Sequence, residues 1–258
     1  MGMAFQSIAA SGQRPYFKTL IDENKVSNPE FSFYLGRTKS GTQGNSELTL
    51  GGSDSSKYTD TPTKIAVSTP GYWHIPLDGV SVNAIDTALD VTIDKGQAAI
   101  DTGTTIILAP SIASTDIFAR IPGSIPIPLE LIDGSIEPIL YAYPCSSTPR
   151  VAITFGGKNF DISEFSNHTN LPPPFLQTKH QLMLTLLPQD PLDFNFGTLT
   201  PSSATFFSNN TLTNLLGKAQ YCFDAISADD IDPTENLYVV VCISAKIEVV
   251  WEAHQRIG

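Results

Sequence analysis

Charge is scarce in this chain. Of its 258 residues 16% are charged, and 26 acidic against 15 basic side chains leave a formal net charge of −11. That balance argues against nucleic acid and anionic membrane as partners, both of which select basic surfaces. It suits either solubility or work at low pH. No apolar run is long enough to span a bilayer, so no membrane helix is expected. Met1-Gly2-Met3 leads straight into Ala4-Phe5-Gln6-Ser7-Ile8, so no signal peptide is expected at this N-terminus. The histidines, His74, His168, His180 and His254, are scattered, and neither HExxH nor CxxC spacing occurs. No metal and no cofactor are therefore expected. The chain also lacks a G-x-S-x-G elbow, a P-loop and a dinucleotide fingerprint, which removes three common enzyme classes. Cysteine is rare too. With Cys145, Cys222 and Cys242 alone, one thiol stays unpaired if a disulfide forms.

What is present is a set of short apolar runs separated by Gly, Pro, Ser and Thr. Such runs read as strands. A chain of this length can bury one large β domain, or one and a half smaller ones. A short helix is expected from Tyr16 to Asn24. Pro29 opens a strand at Phe31-Ser32-Phe33-Tyr34-Leu35, and Ser46-Glu47-Leu48-Thr49-Leu50 returns to Gly51-Gly52 as the other arm of a hairpin. Two strand candidates flank Asp78-Gly79 within Tyr72–Val82, with His74 as an alternating polar, solvated position. Pro110 to Ile121 has helical spacing, and Ile112, Ile117 and Ile121 are expected to face the core.

The most informative stretch is Ala98-Ala99-Ile100-Asp101-Thr102-Gly103-Thr104-Thr105-Ile106-Ile107-Leu108. Apolar runs enter and leave a turn that holds one carboxylate. Asp101 is thus expected at the tip of a buried strand pair, with Gly103 allowing a tight turn. Thr102, Thr104 and Thr105 offer hydroxyls to orient it. A carboxylate held in this way suits activation of a water, provided a second carboxylate shares the proton.

This stretch resembles the second Asp-Thr-Gly loop of the pepsin-like aspartic proteases. Phe31–Tyr58 resembles the segment that joins the two lobes in fungal members, and Tyr72–Val82 the first hairpin of the second lobe. Leu237-Tyr238-Val239-Val240 resembles the strand that crosses beside the catalytic loop. The resemblance implies a mostly β, pepsin-like fold. Residues 1–64 would end the first lobe and supply inter-lobe sheet, and residues 65–258 would form the second lobe. It implies an endopeptidase of acidic pH, with Asp101 catalytic and Gly103, Thr104 and Thr105 beside the substrate. It pairs Cys145 with Cys222, and so favours an oxidising, extracellular or vacuolar setting. Asn167-His168-Thr169 and Asn209-Asn210-Thr211 are sequons that add weak support. Peptide or protein is the implied partner, with the family's first lobe as the natural complement.

The resemblance breaks in two places. Residues 164–189 form an insertion without period, between Phe160-Asp161-Ile162 and Pro191-Leu192-Asp193-Phe194. The codons of Ser163-Glu164-Phe165 can spell a fungal-type splice donor, those of Met183-Leu184-Thr185 a branch point, and those of Gln189-Asp190 an acceptor. Removing the piece keeps the frame and restores Ile-Asn-Pro-Leu-Asp-Phe, which points to a retained intron. The tail 241–258 is the second break, because Val241-Cys242 stands where the family has Gly-Asp. Both segments are expected to be the least ordered parts, projecting from the core or lying loosely upon it.

D-T-G occurs once in the sequence. The opening residues resemble a stretch past the middle of the family's first lobe, which implies a chain that starts inside a domain and lacks the first aspartate and flap. The alternatives are a non-catalytic β domain that binds peptide or carbohydrate, and a half-enzyme completed by a second chain.

Overall fold

The computed structural model describes residues 2–35, 46–58, 62–82, 95–104, 106–130, 136–147, 149–162, 195–199, 220–224, 226–232 and 234–240. The insertion 164–189, the tail 241–258, both sequons, Thr105 and Cys242 fall outside them, as do His168, His180 and His254.

The described residues are mostly β, as a chain of short apolar runs requires. In order they form helix α1 (Tyr16–Asp22), strands β1 (Phe31–Tyr34), β2 (Glu47–Leu50), β3 (Thr69–Pro70), β4 (Trp73–Leu77), β5 (Gly79–Val82), β6 (Gly96–Ile100) and β7 (Ile107–Ala109), then helix α2 (Ser111–Ala119). There follow β8 (Ile125–Glu130), β9 (Ile136–Pro144), β10 (Val151–Phe155), β11 (Lys158–Ile162), β12 (Asn195–Leu199), β13 (Tyr221–Asp224), β14 (Ile226–Ala228) and β15 (Leu237–Val240). This mostly β architecture is the one the pepsin-like reading requires.

The largest sheet has the order β14-β7-β15-β6-β4-β3. In it β15 runs parallel to β6 and β14 parallel to β7, while β4 is antiparallel to β6. A second sheet orders β12-β13-β9-β8, and a third β11-β10-β5. β1 and β2 pair as the expected hairpin, Phe31 opposite Leu50. Phe31 and Trp73 meet edge to face at 5.6 Å between ring centroids, and Phe5 lies 4.6 Å from Trp73. The N-terminal residues are laced to the same place, since Phe5 N–H donates to Gly71 O and Trp73 Nε1 to Met3 O.

The structure corrects two expectations about these elements. β4 and β5 are not the two arms of a hairpin. Asp78 N–H donates to Thr154 O and the Asp78 carboxylate accepts from Gly157 N–H, so the chain leaves one sheet for another at this point. β5 then pairs with β10. The two strand candidates flanking Asp78-Gly79 are both present, but the hydrogen bonds at Asp78 are made with a distant strand and turn.

The second correction concerns α2. Ile117 and Ile121 are buried, but Ile112 is 78% exposed. Five residues separate Ile112 from Ile117, which at 3.6 residues per turn puts them on different faces. The buried face is instead Ala113, Ser114, Ile117 and Phe118, with Phe118 stacked on Tyr141 at 4.3 Å. Ile117 has no exposed surface at all. Replacing it with Ala is expected to cost about 2–5 kcal/mol through lost burial and a residual cavity. A urea midpoint unchanged by Ile117→Ala would show that this face is not core.

Candidate active site

Two strands of the main sheet lead into and out of the Asp101 turn, and a third lies between them. β6 runs into the turn and β7 leaves it. They do not pair with each other, because β15 separates them, Val239 standing opposite both Ala99 and Leu108. The apolar runs are buried as their composition demands, with Ile100 at 8% and Ile106 at 9% exposure. Asp101 N–H donates to Val240 O at 3.0 Å, so the β6–β15 ladder extends to the aspartate itself.

The carboxylate is oriented from below by the backbone. Gly103 N–H donates to Asp101 Oδ1 at 2.8 Å, an Asx-type closure of the turn. A Cβ at Gly103 would stand 3.0 Å from the same oxygen, so glycine keeps the carboxylate's seat open. Thr104 Oγ1 donates to Ile106 O at 3.3 Å and locks the exit of the turn. For Thr104 the expected orientation of the carboxylate by a hydroxyl is corrected, while Thr105 lies outside the described residues. Among the described residues the Gly103 amide orients Asp101, and the Thr104 hydroxyl serves the backbone.

Asp101 itself is exposed, against the expectation of a buried tip. The reason is solvation. The flanking hydrocarbon gains by burial, but a carboxylate with no cationic partner among the described residues stays in water rather than meet the cost of desolvation. The turn therefore projects from the end of the sheet. Its remaining acceptor positions can hold a water there, since an ionised carboxylate accepts at about four sites and the Gly103 amide takes one.

Cys145 and Cys222 are joined by a disulfide across 77 residues. It ties the end of β9 to β13, where Cys222 stands opposite Tyr143, and Cys145 N–H donates to Gln220 O. Both cysteines are buried.

His74 is not the solvated strand position its polarity suggested. Tyr72 stacks on the ring at 5.7 Å, and both ring nitrogens are buried without a hydrogen-bond partner among the described residues. The cover comes from Tyr72, only two residues earlier in the chain, which the polarity of His74 alone does not disclose. Among the described residues no three His, Cys, Asp or Glu side chains gather as a metal site. No helix there is long and apolar enough to cross a membrane.

The turn before β15 carries a carboxylate of altered acidity. Asp232 Oδ1 accepts from Thr234 Oγ1 at 2.6 Å and Thr234 N–H at 2.9 Å. The hydroxyl first, and then the amide, hold this carboxyl below the usual carboxylate range. Asp232 thus ionises at lower pH in the folded chain than in the unfolded one. Its stabilisation is complete above the ordinary carboxylate range and is lost as pH falls through the lowered value. Asp232→Asn keeps an acceptor but cannot titrate. The variant is expected to lose stability less steeply on acidification, measured as denaturant midpoint against pH. Identical slopes would reject the linkage.

The family model described as eukaryotic aspartyl protease matches residues 1–170. An aspartic protease of Phaffia rhodozyma is 39% identical over 163 residues, covering 62% of this chain and 37% of that protein. Pepsin A of Sus scrofa is 34% identical over 163 residues, covering 63% of the chain and 39% of the relative. A probable vacuolar protease A of Arthroderma benhamiae is 34% identical over 166 residues, covering 63% and 38% respectively. The chain therefore spans less than two fifths of the length of these relatives. With the Asp101 turn, the mixed sheet around it and a family match over most of its length, this chain belongs to the eukaryotic aspartyl protease family.

Proposed function

We propose that the chain carries one catalytic half of an acid endopeptidase, with Asp101 as one of two aspartates that share a proton and a water. The observation that carries this reading is the Asp101 turn. A carboxylate is anchored through its own amide to Val240 O and through Oδ1 to the Gly103 amide, and it opens to solvent. In the reaction the ionised member of the pair takes a proton from the water as its oxygen attacks the peptide carbonyl. The protonated member gives its proton to the carbonyl oxygen. Collapse of the tetrahedral intermediate, with proton transfer to the nitrogen, releases the amine. Gly103, Thr104 and Thr105 flank the substrate in this reading. Residues 1–64 supply the end of the first lobe and inter-lobe sheet, and residues 65–258 the second lobe.

The natural complement is a first lobe with its own Asp-Thr/Ser-Gly loop, which would cover the exposed Asp101. Peptide or protein is the substrate class. A vacuolar or extracellular location agrees with the relative named as a vacuolar protease and with the disulfide. The test is cleavage of an unstructured protein at acidic pH, with and without a pepstatin-type inhibitor. The 258-residue polypeptide alone is expected to be inactive, and the chain joined to a first lobe active and inhibited. Inactivity of the joined protein, with tight peptide or glycan binding by the single chain, would favour a binding domain instead.

A further inference from the structure

The β6–β15 pair carries Asp101 at one end. At its other end lies a contact that the proteolytic reading does not use. Asn236 sits in the left-handed region, with φ +48°. Its carbonyl approaches Gly96 so closely that a Cβ there would lie 2.3 Å from the oxygen. Gln97 N–H points to the same carbonyl at 3.4 Å, and Asn236 Nδ2 donates to Lys95 O at 3.1 Å across 141 residues of sequence. One residue thus grips the start of β6 by its backbone and by its side chain.

A parallel pair has no hairpin turn to set its register. A slip of one residue would send every side chain to the opposite face. A one-residue slip of β15 against β6 would exchange its core-facing Tyr238 and Val240 for Leu237 and Val239. From the grip the register runs Leu237 opposite Gln97, Tyr238 opposite Ala98, Val239 opposite Ala99 and Val240 opposite Ile100, and it ends in the bond from Asp101 N–H to Val240 O. At about 3.3 Å per residue the grip lies roughly 15 Å from the aspartate. Gly96 alone in β6 lacks a Cβ, and Asn tolerates a left-handed backbone better than most residues.

We propose that Asn236 is a positioning residue whose grip on Gly96 and Lys95 sets the β6–β15 register and so fixes where the Asp101 carboxylate leaves the sheet. The inference rests on the reading of Asp101 as catalytic, but its test needs no cleavage. Amide hydrogen exchange is measured on the full 258-residue chain, on Asn236→Ala, which removes the donor and strains the backbone, and on Asn236→Gly, which removes only the donor. Gly96→Ala attacks the grip from the other side. Asn236→Ala and Gly96→Ala are expected to speed exchange at the Asp101 and Gly103 amides by tenfold or more, leaving Val151–Phe155 as in the parent chain. Asn236→Gly is expected to give a smaller rise at the same two amides. Unchanged exchange at Asp101 and Gly103 in Asn236→Ala would overturn the proposal. So would an equal rise across Val151–Phe155, which would mark general destabilisation. Should the grip pass this test while a first-lobe assembly fails to cleave, the register role stands and the catalytic reading falls.

Discussion

In an assembly that supplies a first lobe with its own Asp-Thr/Ser-Gly loop, Asp101→Asn is expected to abolish acid proteolysis. The amide can still accept the Gly103 N–H, so the turn keeps its shape. What it loses is the shared proton. A carboxylate pair holds one proton between two acids, with one member ready to accept from water and the other ready to donate to the carbonyl oxygen. Removing a positioned acid or base typically costs about 10²–10⁴-fold in rate. Loss of the shared proton adds to that, because the remaining aspartate then titrates alone. In the 258-residue chain by itself the same substitution is expected to change nothing measurable, since D-T-G occurs once in its sequence. Rates at acidic pH on a quenched peptide, for both proteins and both variants, decide the matter. Pepstatin-sensitive hydrolysis by the single chain, lost on Asp101→Asn, would reject the half-site reading and favour association of two copies.

The double variant Cys145→Ala, Cys222→Ala is expected to be strongly destabilised. The bridge closes a loop of 77 residues, and the chain-entropy relation puts its effect at about 4.5 kcal/mol. Changing both cysteines avoids leaving a lone buried thiol. The β9–β13 pairing beside the bridge, Cys222 opposite Tyr143 and Tyr221 opposite Pro144, would then have to hold without it. Denaturant unfolding of the oxidised parent, the reduced parent and the double variant provides the comparison. A loss of less than about 1 kcal/mol would mean that the unfolded chain is already restricted near these residues.

The Asp101 turn was legible in the sequence because its signal is local. Apolar runs on both sides of a Gly-containing turn, with a carboxylate at the tip, need no distant information. Leu237–Val240 was legible as a strand for the same reason, as were Phe31–Tyr34 and Glu47–Leu50. His74 and Ile112 depart from expectation for local reasons that a count of polar and apolar positions does not weigh. Tyr72 covers the first, and helix rotation carries the second off the face that Ile117 buries. Asn236 gave no local signal at all, since its meaning depends on Gly96 far away in the chain.

The sequence by itself determined short apolar runs that read as strands and one carboxylate, Asp101, at a Gly-containing turn between two of them, and the resemblance it carries implied the mostly β fold. The tertiary structure alone decided that β15 lies between β6 and β7, that β4 and β5 belong to different sheets, and that Asp101 meets solvent. The physical reason is that strand formation follows from neighbours two residues apart, whereas pairing and exposure depend on hydrogen bonds and burial made by residues tens to more than a hundred positions away.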